Sequence, residues 1–430
     1  MRVASLLKAV GKAPYRTRPL AKRSEYLASA ITMAEGVTEE PEILLNVKDS
    51  IAFVTLNRPR ALNSLNLGMV HRLLSINQEF SQPGSKVACV VVRGSGGKAF
   101  CAGGDVKEVV MRARDGAWSY GSAFFRAEYV NNATIAQLPV PYIAVIDGIV
   151  MGGGVGVSYH GSFRVATERT VLAMPESGIG LFPDIGASYF LHRLPGYLGR
   201  YMGLTGQRLT GAEVKDAGFA THFIPSSRLL DLEGGILELG SSAADPTKVD
   251  SLLRSLEQPP ASGSGRSALL EWKLPLINAH FGLGSVGQVM TSLQAAVDTA
   301  DSGSGSGSES EAARAFLRDT LTAMRRGSPL SHAVTWEMLR RSAAGHLTLQ
   351  QCLQMEFWLA RRFVAGEADF LEGVRALLID KDNKPRWRYS NVKEVPGVVV
   401  QRLFEPLPDE PPLFSGFMAA TATGAHISRM

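Results

Sequence analysis

Apolar residues follow three patterns along this chain. Near the start they form two short runs, Ile43–Val47 and Ile51–Leu56, separated by Lys48-Asp49-Ser50, which predicts two strands joined by a turn. Leu67, Val70, Leu73, Leu74 and Asn77 then recur at helical spacing, so an amphipathic helix is expected at about 67–80. Val87–Val92 (V-A-C-V-V-V) is apolar at every position and ends at Arg93-Gly94, the pattern of a strand buried on both faces. Tyr142–Ile146 repeats that pattern, and Phe163–Ala166 and Val171–Ala173 are shorter versions. Glycine-rich turns and helical sequence follow each run, which predicts an α/β domain over 41–225. Beyond it, 226–256 and 268–378 keep a helical period with almost no strand signal, which predicts a largely helical domain over 226–395. Gly/Ser-rich stretches at 258–266 and 301–310 interrupt this domain as solvated loops. Residues 396–430 read as a tail, extended and poorly ordered from a proline-rich start at Glu405.

With 45% hydrophobic and 20% charged residues among 430, the chain can bury a sizeable core, which excludes a mainly disordered, collagen-like or coiled-coil protein. Three cysteines cannot staple a disulfide scaffold, and no Cys/His pair has zinc spacing, so a reducing compartment and no structural metal are expected. The formal net charge of +5 is local. Residues 1–24 hold seven basic residues and no acid, and the rest of the chain carries 38 basic against 40 acidic residues. A basic, acid-free stretch with interspersed leucines reads as a mitochondrial import leader, with a linker up to residue 40. A flexible basic arm that stays attached is the plainer alternative. The most apolar stretch, Tyr142–Tyr159, contains Asp147 and a cluster of glycines, so no membrane span is expected. In the helical half, residues 312–402 carry 15 basic and 9 acidic residues, including Arg325-Arg326, Arg340-Arg341 and Arg361-Arg362. A face of that kind can bind phosphates or RNA; more commonly it is a solvated surface or a set of salt-bridge partners.

Two glycine-rich segments follow strands, where α/β folds place ligands: Lys98–Asp105 (K-A-F-C-A-G-G-D) and Ile149–Gly156 (I-V-M-G-G-G-V-G). Neither is a P-loop or a dinucleotide fingerprint. Glycine permits close approach of the backbone to a ligand, and two N–H groups converging on one oxygen would make an oxyanion hole; close helix–strand packing is the other reason for such glycines. Glu176 and Asp184 lie in A-M-P-E-S-G-I-G-L-F-P-D-I-G (173–186), surrounded by apolar residues. A carboxylate among Met174, Ile179, Leu181 and Phe182 should have a raised pKa, suited to acid–base or nucleophilic work. The alternative is helix capping, for which Asp184 is the better candidate because helical sequence starts after Gly186.

Taken together, L-N-R-P-x-x-L-N-S-L (56–65), G-G-K-A-F-C-A-G-G-D (96–105), F-F-R-x-E-Y (124–129), M-G-G-G-V-G (151–156) and M-P-E-x-x-I-G-L-F-P-D-x-G (174–186) resemble the crotonase superfamily, and within it the 3-hydroxyisobutyryl-CoA hydrolases. L-T-G-x-R-L (204–209), A-T-H-F (220–223) and E-G-V-R-A-L-L-I-D-K-D (372–382) extend the likeness over about 43–390. The resemblance implies a crotonase-like spiral of repeated ββα units with a largely helical C-terminal portion. It implies an acyl-CoA substrate whose thioester carbonyl is held by the backbone N–H groups of Gly104 and Gly153. Glu176 falls on the catalytic carboxylate, as nucleophile or as the base that activates water. Asp184 falls near the 3-hydroxyl of the substrate, suited to orienting it or sharing in proton transfer, and Glu128 on another substrate-pocket position. No flavin, nicotinamide or metal is implied, coenzyme A being part of the substrate.

Enoyl-CoA hydratases of the superfamily use a second glutamate three residues after the central glycine of G-G-G; here that position is Gly156, which favours thioester hydrolysis over hydration. Ala127 replaces an acid often found before Glu128. The implied role is hydrolysis of 3-hydroxyisobutyryl-CoA or a related short 3-hydroxyacyl-CoA in valine catabolism, in the mitochondrial matrix. A second reading, drawn from the basic leader and basic helical face, is a structural or RNA-associated subunit of a mitochondrial assembly such as the mitoribosome, built on a hydrolase fold. Crotonase relatives often form trimers or hexamers, and the long helical half would cover that surface in a monomer or dimer.

Overall fold

The computed structural model describes residues 40–258, 267–301 and 311–414. The leader expected before residue 40 and nearly all of both Gly/Ser loops lie outside these residues. The first part of the chain contains β1 (Ile43–Lys48), β2 (Ile51–Leu56), α1 (Leu67–Phe80), β3 (Cys89–Gly94), β4 (Ala99–Cys101), α2 (Val106–Arg114) and α3 (Trp118–Ala136). Then come β5 (Tyr142–Ile146), β6 (Ile149–Met151), α4 (Gly153–Tyr159), β7 (Phe163–Ala166), β8 (Val171–Ala173), α5 (Ala187–Phe190), α6 (Leu198–Thr205), β9 (Leu209–Thr210), α7 (Ala212–Asp216) and β10 (His222–Phe223).

One sheet has the order β1-β2-β3-β5-β7-β10 and a smaller one β4-β6-β8-β9. Successive strand pairs split between them, β3 to β4, β5 to β6 and β7 to β8, so the chain climbs as a spiral of ββα units. In the larger sheet only β1–β2 is antiparallel. The continuous apolar runs have a direct cause. Val90, Val92, Ala144 and Ile146 face one core, and Cys89, Val91, Ile143 and Val145 face another on the opposite side of the sheet. A strand covered on both faces has no polar side to alternate with.

Beyond Phe223 the described residues form helices only: α8 (Leu229–Leu239), α9 (Pro246–Leu256), α10 (Leu274–Phe281), α11 (Val286–Asp301), α12 (Glu311–Arg326), α13 (Pro329–Gly345), α14 (Leu349–Val364), α15 (Phe370–Val374) and α16 (Gly397–Leu403). Leu232, Ile236, Val249 and Leu253 from α8 and α9 cover the second core. The first core is shared: Phe357 of α14 packs edge-on to Tyr129 of α3, and Phe370 to Phe125. The helical half therefore shapes the neighbourhood of α3, which carries Glu128.

Two local expectations differ from the structure. The strands β4 and β6 lie within the glycine-rich segments and were masked by the turn signals around them. The segment from Glu405 is anchored as far as Phe414. Glu410 pairs with Arg126 of α3 at 2.8 Å and Arg361 of α14 at 2.9 Å, and Leu413 N–H donates to Gln354 Oε1 at 2.7 Å. Glu410→Ala is expected to destabilise the protein by about 2 kcal/mol, since it strips two half-buried arginines of a charged acceptor; an unchanged Tm would contradict the clasp.

The arginine pairs of the helical half are largely spent internally. Arg340 and Arg341 both pair with Glu337, Arg361 with Glu410 and Arg362 with Glu367. Their surroundings match the salt-bridge reading of that face.

Candidate active site

Three motifs build the floor of one cleft. Asn63 donates to Ala99 O at 2.8 Å, and Arg58 reaches Asp105 at 3.3 Å, which ties the first motif to the second. Leu65 N–H donates to Gly103 O at 2.8 Å and the Leu65 carbonyl accepts from Asp105 N–H at 2.7 Å, fixing the strand-like segment through Gly104. Gly103 (φ +111°) and Gly152 (φ +46°) turn the backbone at conformations that side chains resist, one before each of Gly104 and Gly153. The two segments abut: a Cβ at Gly153 would lie 3.1 Å from the Gly104 nitrogen. Among the described hydrogen bonds neither the Gly104 nor the Gly153 N–H has a protein acceptor. A packing reason stands beside these unpaired N–H groups, because at Gly104 a Cβ would strike Phe124 at 2.9 Å.

Glu128, Glu176 and Asp184 line the same cleft, about 760 Å³ in volume, together with Gly104 and Gly153. Glu176 opens a tight turn, Glu176–Ile179, after β8, and its Oε1 would lie 3.0 Å from a Cβ on Gly152. Glu128 Oε1 would lie 2.4 Å from a Cβ on Gly153. Both residues are buried, and Glu128 Oε1 and Glu176 Oε2 have no hydrogen-bond partner. A second cavity, about 740 Å³ and lined by residues 287–298, 324–332 and 390–393, contains none of these carboxylates.

Burial raises all three carboxyl groups. For Glu176 the charge of Asp184 adds to burial, and for Glu128 the charges of both Asp184 and Glu176 add to it. Asp184 rises only to about 6, because the Tyr129 hydroxyl donates to its Oδ2 at 2.7 Å and favours the charged form. Asp184 is therefore the first of the three to ionise, and its charge holds protons on the other two. The capping expectation for Asp184 fails: Gly186 stands at the start of α5, and Asp184 points to Tyr129 instead. Three titrating carboxyls at one end of a cleft can donate and accept protons beside a pair of free N–H groups. Among the described residues no three His, Cys, Asp or Glu side chains gather as a metal site.

Several contributors were not singled out in the sequence. Tyr129 stands in the F-F-R-x-E-Y motif, but nothing there says that its hydroxyl turns to Asp184. Glu356 is the single charge in the apolar run C-L-Q-M-E-F-W-L-A of α14, a signal that was available. Its Oε2 accepts from Gly186 N–H at 2.6 Å, and its Oε1 accepts from Ser188 N–H at 2.8 Å and from the Ser188 hydroxyl at 2.6 Å. Burial pushes Glu356 up to about 8, with these donors working against the rise. Gly156, the position a hydratase would fill with glutamate, is walled in: a Cβ there would lie 2.9 Å from Asn132 Nδ2 and from Ile185 Cβ.

Residues 51–404 match the family described as enoyl-CoA hydratase/isomerase. The 3-hydroxyisobutyryl-CoA hydrolase 1 of Arabidopsis thaliana is 39% identical over 87% of this chain and 94% of its own length. The mitochondrial 3-hydroxyisobutyryl-CoA hydrolases of Rattus norvegicus and Homo sapiens are 39% and 38% identical, over 90% and 87% of this chain and 94% and 91% of theirs. Among crystal structures, an enoyl-CoA hydratase from Rhodobacter sphaeroides 2.4.1 is 32% identical with a TM-score of 0.73, covering 85% of this chain and 98% of that one. A carnitinyl-CoA dehydratase from Mycobacterium thermoresistibile is 33% identical with a TM-score of 0.74, over 86% and 98%.

Proposed function

Because this chain belongs to the enoyl-CoA hydratase/isomerase family, in the branch of the 3-hydroxyisobutyryl-CoA hydrolases, we propose that it hydrolyses 3-hydroxyisobutyryl-CoA to the free acid and CoA, a step of valine catabolism. The observation that carries this reading is the buried Glu176 in the cleft of the free Gly104 and Gly153 N–H groups, with the second glutamate of a hydratase replaced by a walled-in Gly156.

In this reading the thioester oxygen lies between the two N–H groups, which stabilise the negative charge that develops on it. Glu176 supplies the electron pair in one of two ways. Its oxygen attacks the thioester carbon, the tetrahedral intermediate expels CoA thiolate, and water then cleaves the mixed anhydride. Otherwise Glu176 takes a proton from water, and the hydroxide attacks the carbon. Both routes consume one water and return Glu176 unchanged, with no further cofactor. Asp184, steadied by Tyr129, orients the 3-hydroxyl, and Glu128, buried beside the charges of Asp184 and Glu176, holds a proton beside Gly153. Phe124, Phe125, Ile179 and Leu181 line an apolar path for the acyl and pantetheine parts, and the exposed cations Arg60, Lys107 and Lys381 at the cleft suit the CoA phosphates.

The test is release of free thiol from 3-hydroxyisobutyryl-CoA, run beside hydration of a short enoyl-CoA. Hydrolysis without hydration is expected; hydration alone would overturn the proposal. The pH profile adds a second check. Glu176 must lose its proton to act, and it does so after Asp184, so kcat/KM should rise with pH through an inflection above the ordinary carboxylate range. A plateau already reached at pH 5 would contradict that order of ionisation. The mitochondrial names of the relatives and the basic residues 1–24 support a matrix location, which is checked by fractionating cells that express the full chain. The RNA-associated alternative loses its second support because the arginine pairs it drew on are largely ion-paired within the fold.

A further inference from the structure

The turn that carries Asp184 is strained at one residue. Ile185 sits at φ +59°, a left-handed conformation that a β-branched residue rarely adopts. One backbone bond, from Ala187 N–H to Asp184 O at 2.9 Å, spans Ile185 from within the segment, and neighbouring elements add to it. Two side chains from distant elements brace the turn, the buried Glu356 and the half-buried His160. On one side Glu356 of α14 accepts the N–H groups of Gly186 and Ser188 and the Ser188 hydroxyl. On the other, His160, just after α4, lies 2.8 Å through Nε2 from the Ile185 carbonyl. A carbonyl only accepts, so Nε2 carries the proton; burial lowers His160 to about 4, which keeps the ring neutral and consistent with that single N–H bond. Gly156 packs against Ile185 from below.

The positions of the partners show what this clamp governs. The Glu356 contacts begin two residues after Asp184, and the Ile185 carbonyl is the next one along. Between them they determine where the Asp184 backbone lies and hence how its carboxylate meets Tyr129 and the cleft. Glu356 does not line the cleft, so it meets no substrate itself. Resting on the hydrolase reading for the role of Asp184, we propose that Glu356 is a positioning residue that sets the preference of this site for a 3-hydroxyl group by clamping the Asp184–Ser188 turn.

The experiment compares 3-hydroxyisobutyryl-CoA with isobutyryl-CoA, which lacks the hydroxyl, in the full chain. Glu356→Gln keeps the shape but has one acceptor oxygen for donors that now meet two, with an amide NH₂ facing an N–H group. The expected result is a fall of about 10–10²-fold in kcat on the hydroxylated thioester, the scale of a misplaced reacting group. On the deoxy substrate kcat and KM should both change by less than about threefold. In an Asp184→Asn background the same substitution should add little, since the two act through one group. Equal losses on both thioesters, or full additivity with Asp184→Asn, would reduce Glu356 to general packing and overturn the proposal. If Glu356→Gln does not fold, Ser188→Ala removes one donor from the clamp and should shift the substrate ratio in the same direction by a smaller factor.

A binding arm separates this inference from the reading it rests on. Calorimetry with the non-hydrolysable thioether analogues of both substrates needs no turnover. If the wild type prefers the hydroxylated analogue but releases no thiol, the hydrolase reading fails, and Glu356 is judged on whether Glu356→Gln erases that preference. A wild type with no preference in binding or turnover overturns the Glu356 proposal itself.

Discussion

Replacing Glu176 by glutamine is expected to slow CoA release by at least about 10²-fold, the scale of a lost proton-transferring or nucleophilic group, with KM within a few-fold of wild type. The amide matches the carboxyl in size, so the cleft keeps its shape, and the free N–H pair at Gly104 and Gly153 is untouched. What disappears is the electron pair that both routes of attack draw from Glu176. Because burial holds the Glu176 carboxyl well above the ordinary range, the neutral amide should fold as well as the acid or better, and a Tm at or above that of the wild type at pH 8 is expected. The sign follows from the direction of the shift. A carboxyl with a raised folded-state pKa binds its proton more tightly when folded, so its contribution to stability is lost as pH rises through that value. Single turnover in H₂¹⁸O tests for direct attack, since label in the Glu176 carboxyl identifies a mixed anhydride opened at that carbon. Wild-type turnover by Glu176→Gln would remove Glu176 from the chemistry.

Gly153→Ala is expected to cost about 10²–10³-fold in kcat, the range for a lost oxyanion donor. A methyl group there would stand 2.4 Å from Glu128 Oε1 and 3.1 Å from the Gly104 nitrogen, so either the carboxylate moves or the two N–H groups splay apart. Since the donors matter most when the oxyanion forms, affinity for free CoA should stay within a few-fold. The measurement is thiol release alongside CoA binding by calorimetry. Loss of binding and turnover together would point to a collapsed cleft, and unchanged turnover would exclude Gly153 from the oxyanion pair. Glu128→Ala in the same background removes the nearest clash; partial recovery of rate would show that steric displacement caused the loss.

Much of the fold could be read from local pattern. The runs at 43–47, 51–56, 142–146, 163–166 and 171–173 correspond to β1, β2, β5, β7 and β8, and the helical spacing from Leu67 to α1, because burial on one or both faces leaves a direct trace in residue type. The run at 87–92 begins two residues before the strand and ends two before it stops, since Arg93 and Gly94 continue the pairing with β2. The short strands β4 and β6 left no such trace. They have three residues each, and the glycines that follow them satisfy the local demands of a turn and of a strand end alike.

The sequence by itself marked the candidates: Glu128, Glu176 and Asp184, and the glycines at 104 and 153, all stand in short motifs whose spacing is legible without coordinates, and the structure gathers them in one cleft. It also determined that Gly156 brings no second hydratase glutamate. Only the tertiary structure decided how these groups work together. That Asp184 faces Tyr129 rather than capping α5, that Glu356 takes over the cap from a helix 170 residues away, and that Asn132 and Ile185 close the space beside Gly156 all depend on contacts between distant segments. The physical reason is common to all three. A motif records the residue types a local backbone or reaction needs, whereas the direction of a buried carboxylate is set by whichever donors the packed core brings within hydrogen-bond distance, and those donors leave no mark on the sequence beside it.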